Sequence, residues 1–276
     1  MPTIDQKIDI EVETGHTIAG TLITPGTLVP GVLFVHGWGG SQEQYQARAR
    51  EVAALGCICL TFDLRGHALT RGEYQTVSRA INLRDVLAAY DLLAARPHVD
   101  RSAIAVVGSS YGGYLGAILT SMRPVRWLGL RAPALYLDKG WESPKLQLHK
   151  DDDLVAYRRK LVPAESNRAL AACQSFEGDA LLVESELDTI VPRTVLTSYR
   201  SALTHTRSIT YRCIEGADHG LTQERDQRAY SQVLVGWLKE MIVGARAGAV
   251  VRAAPVEADS ASQTPESAPH EVARGV

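Results

Sequence analysis

The stretch VVGSSYGGYLG, residues 106–116, places two serines between glycines where an apolar run meets small residues at helical spacing. Within it, residues 108–112 have the spacing G-x-S-x-G of a nucleophile elbow, a sharp turn that presents a reactive serine between a strand and a helix. Such a turn needs glycines because the two backbones pass close to each other. Glycine and serine are also ordinary turn residues, so the pattern alone leaves both interpretations open.

The residues on either side of the motif favour the elbow. SAIAVVG predicts a short buried strand, and GGYLGAILTS predicts a helix. The motif then lies at the corner between strand and helix, which is the context that an elbow requires. Ser110 is predicted to stand at the apex, with Ser109 as a turn or packing residue.

Short apolar runs alternate with helix-length segments along the whole chain, which indicates a mainly parallel α/β sheet. We predict strands at residues 7–13, 16–24, 31–35, 57–62, 104–107, 127–131, 180–184 and 208–214. The first two, joined by a tight turn at Thr14-Gly15, are predicted to be antiparallel. Helices are predicted at residues 42–54, 78–95, 111–121 and 226–242.

Two regions depart from this alternation. Residues 137–177 form a long, charged connection, which we predict to be a lid inserted into a core of residues 1–136 and 178–244. The aspartates at 151–153 within it are interpreted as a helix cap or a solvated face rather than a metal site. Residues 245–276 are rich in Ala, Pro, Ser and Glu without apolar periodicity, so we predict a disordered tail.

Composition limits the class of protein. The 276 residues suffice for one large core, and 45% hydrophobic with 22% charged content is typical of a globular chain. A net charge of -2 gives no electrostatic reason to expect binding to nucleic acid or to an acidic membrane. The N-terminus has no basic region followed by an apolar one, and no apolar run has the length of a membrane span. The expected location is therefore the cytoplasm.

The four cysteines show no metal-like clustering with histidine. Cys57 and Cys59 are two apart in a predicted strand, so both should point to the same face. We interpret the cysteines as buried structural thiols, and we expect no metal or other cofactor.

A serine hydroxyl needs a base to take its proton and a third group to orient that base. Downstream, Asp188 follows the apolar run ALLVESEL, and His219 lies in the loop after YRCIEG. The carboxyl ends of parallel strands lie along one edge of a sheet, so both residues should lie near Ser110. Ser110, Asp188 and His219 are the predicted triad.

Other carboxylates could take the place of Asp188. Glu186 is the second choice and Glu184 a further one, since both are close to the end of the same predicted strand. Asp218 adjoins His219, but neighbouring side chains on an extended loop diverge, so we do not expect Asp218 to orient the imidazole ring.

Attack by a serine on a carbonyl creates an oxyanion that needs hydrogen-bond donors. The apolar run GVLFV ends in the glycine-rich loop HGWGG, residues 36–40, whose backbone N–H groups can turn into the site. We predict that the N–H of Trp38 and the N–H of Tyr111, which follows the nucleophile, form the oxyanion hole.

Taken together, HGWGG, DLRGH at 63–67, GSSYGG, ESELDTIVP and GADHG resemble motifs of the α/β-hydrolase superfamily over residues 5–244. The single large insertion and the motifs HGWGG and GSSYGGYL are more similar to those of dienelactone-hydrolase and acylaminoacyl-peptidase-like serine esterases than to those of lipases. The resemblance implies an α/β-hydrolase fold: an eight-stranded, mostly parallel sheet whose second strand is antiparallel, with helices on both faces. Ala68 stands where the family often has glycine, which affects no catalytic residue.

The expected activity is hydrolysis of small or medium carboxylic esters through an acyl-enzyme on Ser110. Trp38, Tyr111, Tyr136 and Trp141 are candidate walls of the substrate pocket, although Tyr136 and Trp141 could equally be core residues. Hydrolysis of amide bonds in short acylated peptides is the second hypothesis, and hydrolysis of thioesters the third. A non-catalytic ligand-binding protein with this fold is a further alternative. The sequence does not indicate the natural substrate or the oligomeric state.

Overall fold

The computed structural model describes residues 3–13, 16–25, 28–148 and 153–252. The strands are β1 Thr3–Glu13, β2 His16–Pro25, β3 Val29–Val35, β4 Ile58–Thr61, β5 Val99–Ser109, β6 Trp127–Arg131, β7 Asp179–Ser185 and β8 Ser208–Ile214. The α-helices are α1 Glu43–Ala53, α2 Arg79–Ala94, α3 Tyr111–Leu119, α4 Leu154–Arg158, α5 Arg168–Gln174, α6 Arg193–Ala202 and α7 Glu224–Arg252. Three short 3₁₀ helices lie at Ala68–Glu73, Lys145–Gln147 and Ala164–Ser166.

The main sheet contains six strands in the order β4-β3-β5-β6-β7-β8, and every neighbouring pair is parallel. The predicted α/β-hydrolase fold and the eight strand positions are confirmed, but the prediction that all eight strands share one sheet is wrong. Strands β1 and β2 pair antiparallel with each other in a separate two-stranded sheet. Every described pairing of β1 is with β2, from Thr3 opposite Pro25 to Glu13 opposite His16, and the described part of the edge strand β4 pairs only with β3.

Helices cover both faces of the six-stranded sheet, as predicted. Alternation along β3 sends Leu33 and Val35 to one hydrophobic cluster, with α2, α3, α5 and α6, and Val32 and Phe34 to the other, with α1 and α7. With both faces buried, a strand reads as a continuous apolar run, which explains VLFV and IAVV in the sequence.

The positions of the cysteines match the sequence prediction in part. Cys57 and Cys59 both pack on the α1 and α7 side, as their spacing predicts. Burial raises the pKa of Cys59 and of Cys173 to about 12, which keeps both thiols protonated. Cys213, in contrast, is exposed, so it is not the buried thiol that was expected.

The strand order places the site. The order in which strands are added to the sheet changes direction at β3, because β4 lies on one side of β3 and all later strands of this sheet lie on the other. The loop after β3 and the turn after β5 therefore flank the crevice where open α/β sheets bind ligands. The segments after β7 and β8 leave from the same edge, since all six strands are parallel.

The 137–177 segment packs onto the core through apolar and polar contacts. Leu148, Leu170 and Phe176 belong to the larger hydrophobic cluster. The Asn167 side chain donates to the Tyr136 carbonyl over 2.7 Å and caps α5. Asp153 caps α4, as the sequence indicated, whereas 151–152 lie outside the described residues. That this segment acts as a lid stays a prediction.

The chain beyond residue 244 was predicted to be disordered. Helix α7 continues to Arg252, inside that segment, and residues 253–276 lie outside the described residues. Among the helices that the structure describes, none is both long enough and apolar enough to cross a membrane.

Gly112 offers a test of the packing between α3 and β3. A Cβ atom at Gly112 would lie 2.2 Å from the Val35 carbonyl oxygen and 2.5 Å from that of His36. We expect Gly112→Ala to lower the free energy of unfolding by about 3 kcal/mol or more, because both obstructing atoms belong to the backbone. Urea denaturation measures this change.

The matched control is Gly236→Ala in α7, where an added Cβ meets nothing within 4 Å. This exposed helical position should gain up to about 1 kcal/mol from the higher helix propensity of alanine. Equal effects of the two substitutions would contradict the close backbone contact at Gly112.

Candidate active site

The turn between β5 and α3 holds Ser110 in a strained conformation. Its φ of 51° and ψ of -118° lie in a region that side-chain-bearing residues rarely occupy. The Ser110 N–H donates to the Arg131 carbonyl over 2.9 Å, and the Ser110 carbonyl accepts from the N–H of Ala134 over 2.9 Å. These bonds to the segment after β6 hold the turn in place and present the hydroxyl at the sheet edge.

The three predicted triad residues meet at this edge. His219 Nε2 lies 3.0 Å from Ser110 Oγ, and His219 Nδ1 lies 2.6 Å from Asp188 Oδ2. Because an ionised carboxylate can only accept, Nδ1 carries the proton that is shared with Asp188. The lone pair of Nε2 then faces the Ser110 hydroxyl, which is the arrangement that lets a histidine remove the proton of a serine.

The surroundings of Asp188 keep its carboxylate ionised. Oδ1 accepts from the N–H of Ile190 over 2.8 Å and from that of Val191 over 2.7 Å. Burial alone raises the pKa of Asp188, but the hydrogen bonds from His219 and Val191 outweigh it, so the pKa lies below its ordinary value. Both carboxylate oxygens thus have partners that favour the charged form.

The alternative carboxylates are used elsewhere. Glu186 Oε2 accepts from the N–H of Gly216 over 2.7 Å, and Glu184 lies 3.6 Å from Arg193 Nε. The Asp218 carboxylate accepts from the backbone N–H and from the hydroxyl of Thr222. The structure therefore brings Asp188, and none of these three, to the ring of His219.

The glycine-rich loop 36–40 lies against the elbow. A Cβ atom at Gly37 would lie 3.4 Å from both Ser109 O and Ser110 Cβ. Trp38 follows Gly37 in this loop, and Tyr111 follows Ser110 in the elbow. Within the described ranges, neither backbone N–H donates to an acceptor. A cavity of about 180 Å³ opens here, lined by Trp38, Ser110 and His219 among others. Trp38 lines this cavity directly, and the Tyr111 N–H follows Ser110, which also lines it, so the predicted pair of oxyanion donors lies next to the cavity.

Two histidine side chains support this loop, a feature that the sequence motifs alone do not indicate. The N–H of Gly39 donates to His67 Nε2 over 3.0 Å, and the N–H of Leu64 donates to His36 Nε2 over 3.0 Å. Each Nε2 accepts, so both rings are neutral, and burial lowers the pKa of both histidines below 6.5. The motifs HGWGG and DLRGH, noted separately in the sequence, are therefore one hydrogen-bonded unit.

The other predicted pocket residues lie elsewhere. The ring of Tyr111 is fully buried, and its hydroxyl donates to Asn82 Oδ1 over 3.1 Å. Tyr136 is buried against Tyr111, with ring centroids 5.9 Å apart. Trp141 stacks on the guanidinium of Arg168 at 4.0 Å. Of the four aromatic side chains, Trp38 alone lines the cavity at Ser110, whereas Tyr111 and Tyr136 are buried members of the larger hydrophobic cluster and Trp141 packs against it.

The two neutral histidines predict a dependence of stability on pH. In the unfolded chain they bind protons below about pH 6.5, whereas in the folded chain their lowered pKa delays protonation. The unfolded state then binds more protons, so the free energy of unfolding should fall as the pH drops below 6.5. His67→Gln keeps an acceptor for the Gly39 N–H without titrating, and it should reduce this slope in urea denaturation between pH 7 and 5. A slope equal to that of the wild type would contradict the role given to His67.

Comparison with known proteins places this site in a family. The sequence profile of the prolyl oligopeptidase family matches residues 43–244, which include Ser110, Asp188 and His219. No curated protein shows significant similarity to the chain.

Solved structures share the fold at low identity. A structure described with LipS and LipT, two metagenome-derived lipolytic enzymes, is 18% identical, with a TM-score of 0.59 over 78% of this chain and 95% of its own. Carboxyl esterase 2 from the mycorrhizal fungus Tuber melanosporum is 16% identical, with a TM-score of 0.56 over 87% of both chains. A dienelactone hydrolase from Anabaena variabilis is 17% identical, with a TM-score of 0.54 over 86% of this chain and 98% of its own. The profile match, which spans most of the chain, shows that this protein belongs to the prolyl oligopeptidase family, serine hydrolases of the α/β-hydrolase superfamily.

Proposed function

We propose that this protein hydrolyses carboxylic esters through an acyl-enzyme on Ser110. The observation that carries the proposal is the unbroken hydrogen-bonded series from Ser110 Oγ through the His219 ring to the Asp188 carboxylate. Ser110 acts as the nucleophile, His219 as the general base and Asp188 as the group that orients and stabilises the imidazole. No step of this mechanism needs a cofactor.

The reaction has two halves. Ser110 Oγ attacks the ester carbonyl while its proton moves to His219 Nε2, and the N–H groups of Trp38 and Tyr111 stabilise the oxyanion. The intermediate then breaks its bond to the alcohol oxygen, which receives the proton from His219. Water attacks the acyl-enzyme by the same route, with His219 again taking and returning a proton, and releases the acid and free Ser110. Ionised Asp188 stabilises the imidazolium in both halves.

The choice of esters rests on the small cavity and on the similar structures, which are described as lipolytic, as a carboxyl esterase and as a dienelactone hydrolase. Hydrolysis of amide bonds in short acylated peptides is the second candidate, because the matching family is named for a peptidase. Three further expectations stay predictions from the sequence: hydrolysis of thioesters, a non-catalytic ligand-binding role, and a cytoplasmic location.

The role of Ser110 is tested by covalent labelling. A fluorophosphonate probe should label the wild-type protein and fail to label Ser110→Ala, because the probe reacts with a serine activated by a neighbouring base. Ser109→Ala is the matched control and should still be labelled. Labelling of Ser110→Ala at the wild-type level would exclude Ser110 as the nucleophile.

The role of Asp188 is tested by kinetics with p-nitrophenyl acetate. Asp188→Asn should lower kcat by about 10⁴-fold, because an amide N–H facing His219 Nδ1 favours the wrong tautomer of the ring. Glu186→Gln, two residues away and bonded to Gly216, should change kcat by less than about tenfold. Loss confined to the Glu186 variant would overturn the proposed triad.

The bond that is cleaved is tested by a panel of substrates. p-Nitrophenyl esters, aminoacyl arylamides and acyl thioesters should be turned over with the esters fastest. A higher kcat/KM for the arylamides would favour the peptidase alternative, and a higher value for the thioesters would favour a thioesterase.

A further inference from the structure

Arg131, the last residue of β6, carries a buried charge beside the proposed triad. The residue is 93% buried, since 7% of its surface is exposed. Its Nε donates to Ser109 Oγ over 3.2 Å, and its Nη1 donates to Ser185 Oγ over 3.3 Å and to the His219 carbonyl over 2.9 Å. All three acceptors are neutral, and the described residues place no carboxylate oxygen within 4.0 Å of this guanidinium.

The guanidinium borders a second cavity of about 170 Å³, which we call the Arg131 cavity. It adjoins the cavity at Ser110, and the two share five lining residues: Gln44, Tyr45, Ser109, Arg131 and Gly220. The remaining lining residues are Arg48, Leu221, Gln227 and Tyr230. A ligand held at Ser110 can therefore extend into the Arg131 cavity.

The lining of the Arg131 cavity favours a negative charge. It contains two arginines and two glutamines, and it contains no aspartate or glutamate. Arg48 donates through Nε to Ser231 Oγ over 3.0 Å and through Nη1 to the Gln44 carbonyl over 2.9 Å, and its guanidinium lies 4.9 Å from the Tyr230 ring. Like Arg131, Arg48 has only neutral partners among the residues that the structure describes.

A buried cation with neutral partners is costly, and an anion in contact with it recovers part of that cost. Arg131 Nη2 donates to no acceptor within the described chain, so one edge of its guanidinium remains available to a ligand. Guanidinium groups match the planar, two-oxygen geometry of a carboxylate. The cavity volume also suits a small group rather than a second protein segment.

We propose that the Arg131 cavity binds a carboxylate group of the substrate, so that the protein acts on esters that carry a carboxylate in addition to the scissile bond. This inference rests on the proposed esterase function and names its substrate class. Arg131 and Arg48 recognise the anion, and Arg131 also holds the His219 loop through the His219 carbonyl. The reacting carbonyl lies at Ser110, and the carboxylate lies on the side of Ser109.

The first experiment compares charged and neutral esters of equal shape. In the first pair, the acyl chain ends in a carboxylate in mono-p-nitrophenyl adipate and in a methyl ketone in p-nitrophenyl 6-oxoheptanoate. 4-Acetoxybenzoate and 4-acetoxyacetophenone differ in the same way on the alcohol side. After each kcat/KM is divided by the hydroxide-catalysed rate constant of that ester, we expect at least a tenfold preference for the anion in one pair. The pair that shows the preference identifies which part of the substrate enters the cavity.

Variants test whether the arginines cause the preference. Arg48→Met should reduce the charged-to-neutral ratio by about tenfold, and Arg131→Lys should reduce it by loss of the two-pronged contact. Arg50→Met, two residues further along α1 and outside the cavity lining, is the matched control and should leave the ratio unchanged. If Arg131→Lys and Arg48→Met slow both esters of a pair equally, the arginines serve only to position the loop and the proposal is overturned.

Binding without turnover separates this proposal from the proposed function. Glutarate should bind to Ser110→Ala in calorimetry, and at least tenfold more weakly once Arg48→Met is added, whereas adding Arg50→Met should change nothing. If esters are not hydrolysed but glutarate binding depends on Arg48, the carboxylate site stands and the esterase function fails. If esters are hydrolysed without charge preference and glutarate does not bind, the esterase function stands and the carboxylate site is overturned.

Discussion

The site depends on the close approach of the first turn of α3 to the end of β3. Gly112 has no Cβ, so its backbone lies against the carbonyl groups of Val35 and His36. This contact sets the turn that carries Ser110 beside the loop that carries Trp38. The distance between Ser110 and the proposed oxyanion donors, the N–H groups of Trp38 and Tyr111, is therefore set by backbone packing rather than by side-chain conformation.

The triad and its supports are drawn from consecutive strand ends of a parallel sheet. Arg131, at the end of β6, bonds through its carbonyl to the Ser110 N–H and through its side chain to the His219 carbonyl. One residue thus ties the turn that carries Ser110 to the loop that carries His219. Asp188 is fixed separately, by the backbone N–H groups of Ile190 and Val191.

Much of the fold could be predicted because the sequence patterns that indicate it lie within single strands, helices and turns. Buried parallel strands read as apolar runs, and the elbow requires glycine at set spacing, as at Gly112. The triad could be predicted because Ser110, Asp188 and His219 each come after a strand, and the carboxyl ends of these strands lie along the same edge of the sheet. Non-local features could not be predicted: the separation of β1 and β2 from the main sheet, the short helices of the 137–177 segment, and the bond from Gly39 to His67. Tyr136 and Trp141 were ambiguous, since an aromatic side chain suits a pocket wall and a core equally.

Several arginine side chains near this site are buried, and their hydrogen-bond partners distinguish two kinds of role. Arg79 donates to the carbonyls of Leu137 and Lys139, and Arg158 donates to those of Leu135 and Ile190, so these guanidinium groups fasten chain segments and are enclosed by them. Arg131 makes similar bonds, but it also lines a cavity that adjoins the one at Ser110. A guanidinium that served only to fasten loops would gain nothing from such a cavity or from a second arginine in its wall. The combination is what the proposed binding of a substrate carboxylate needs.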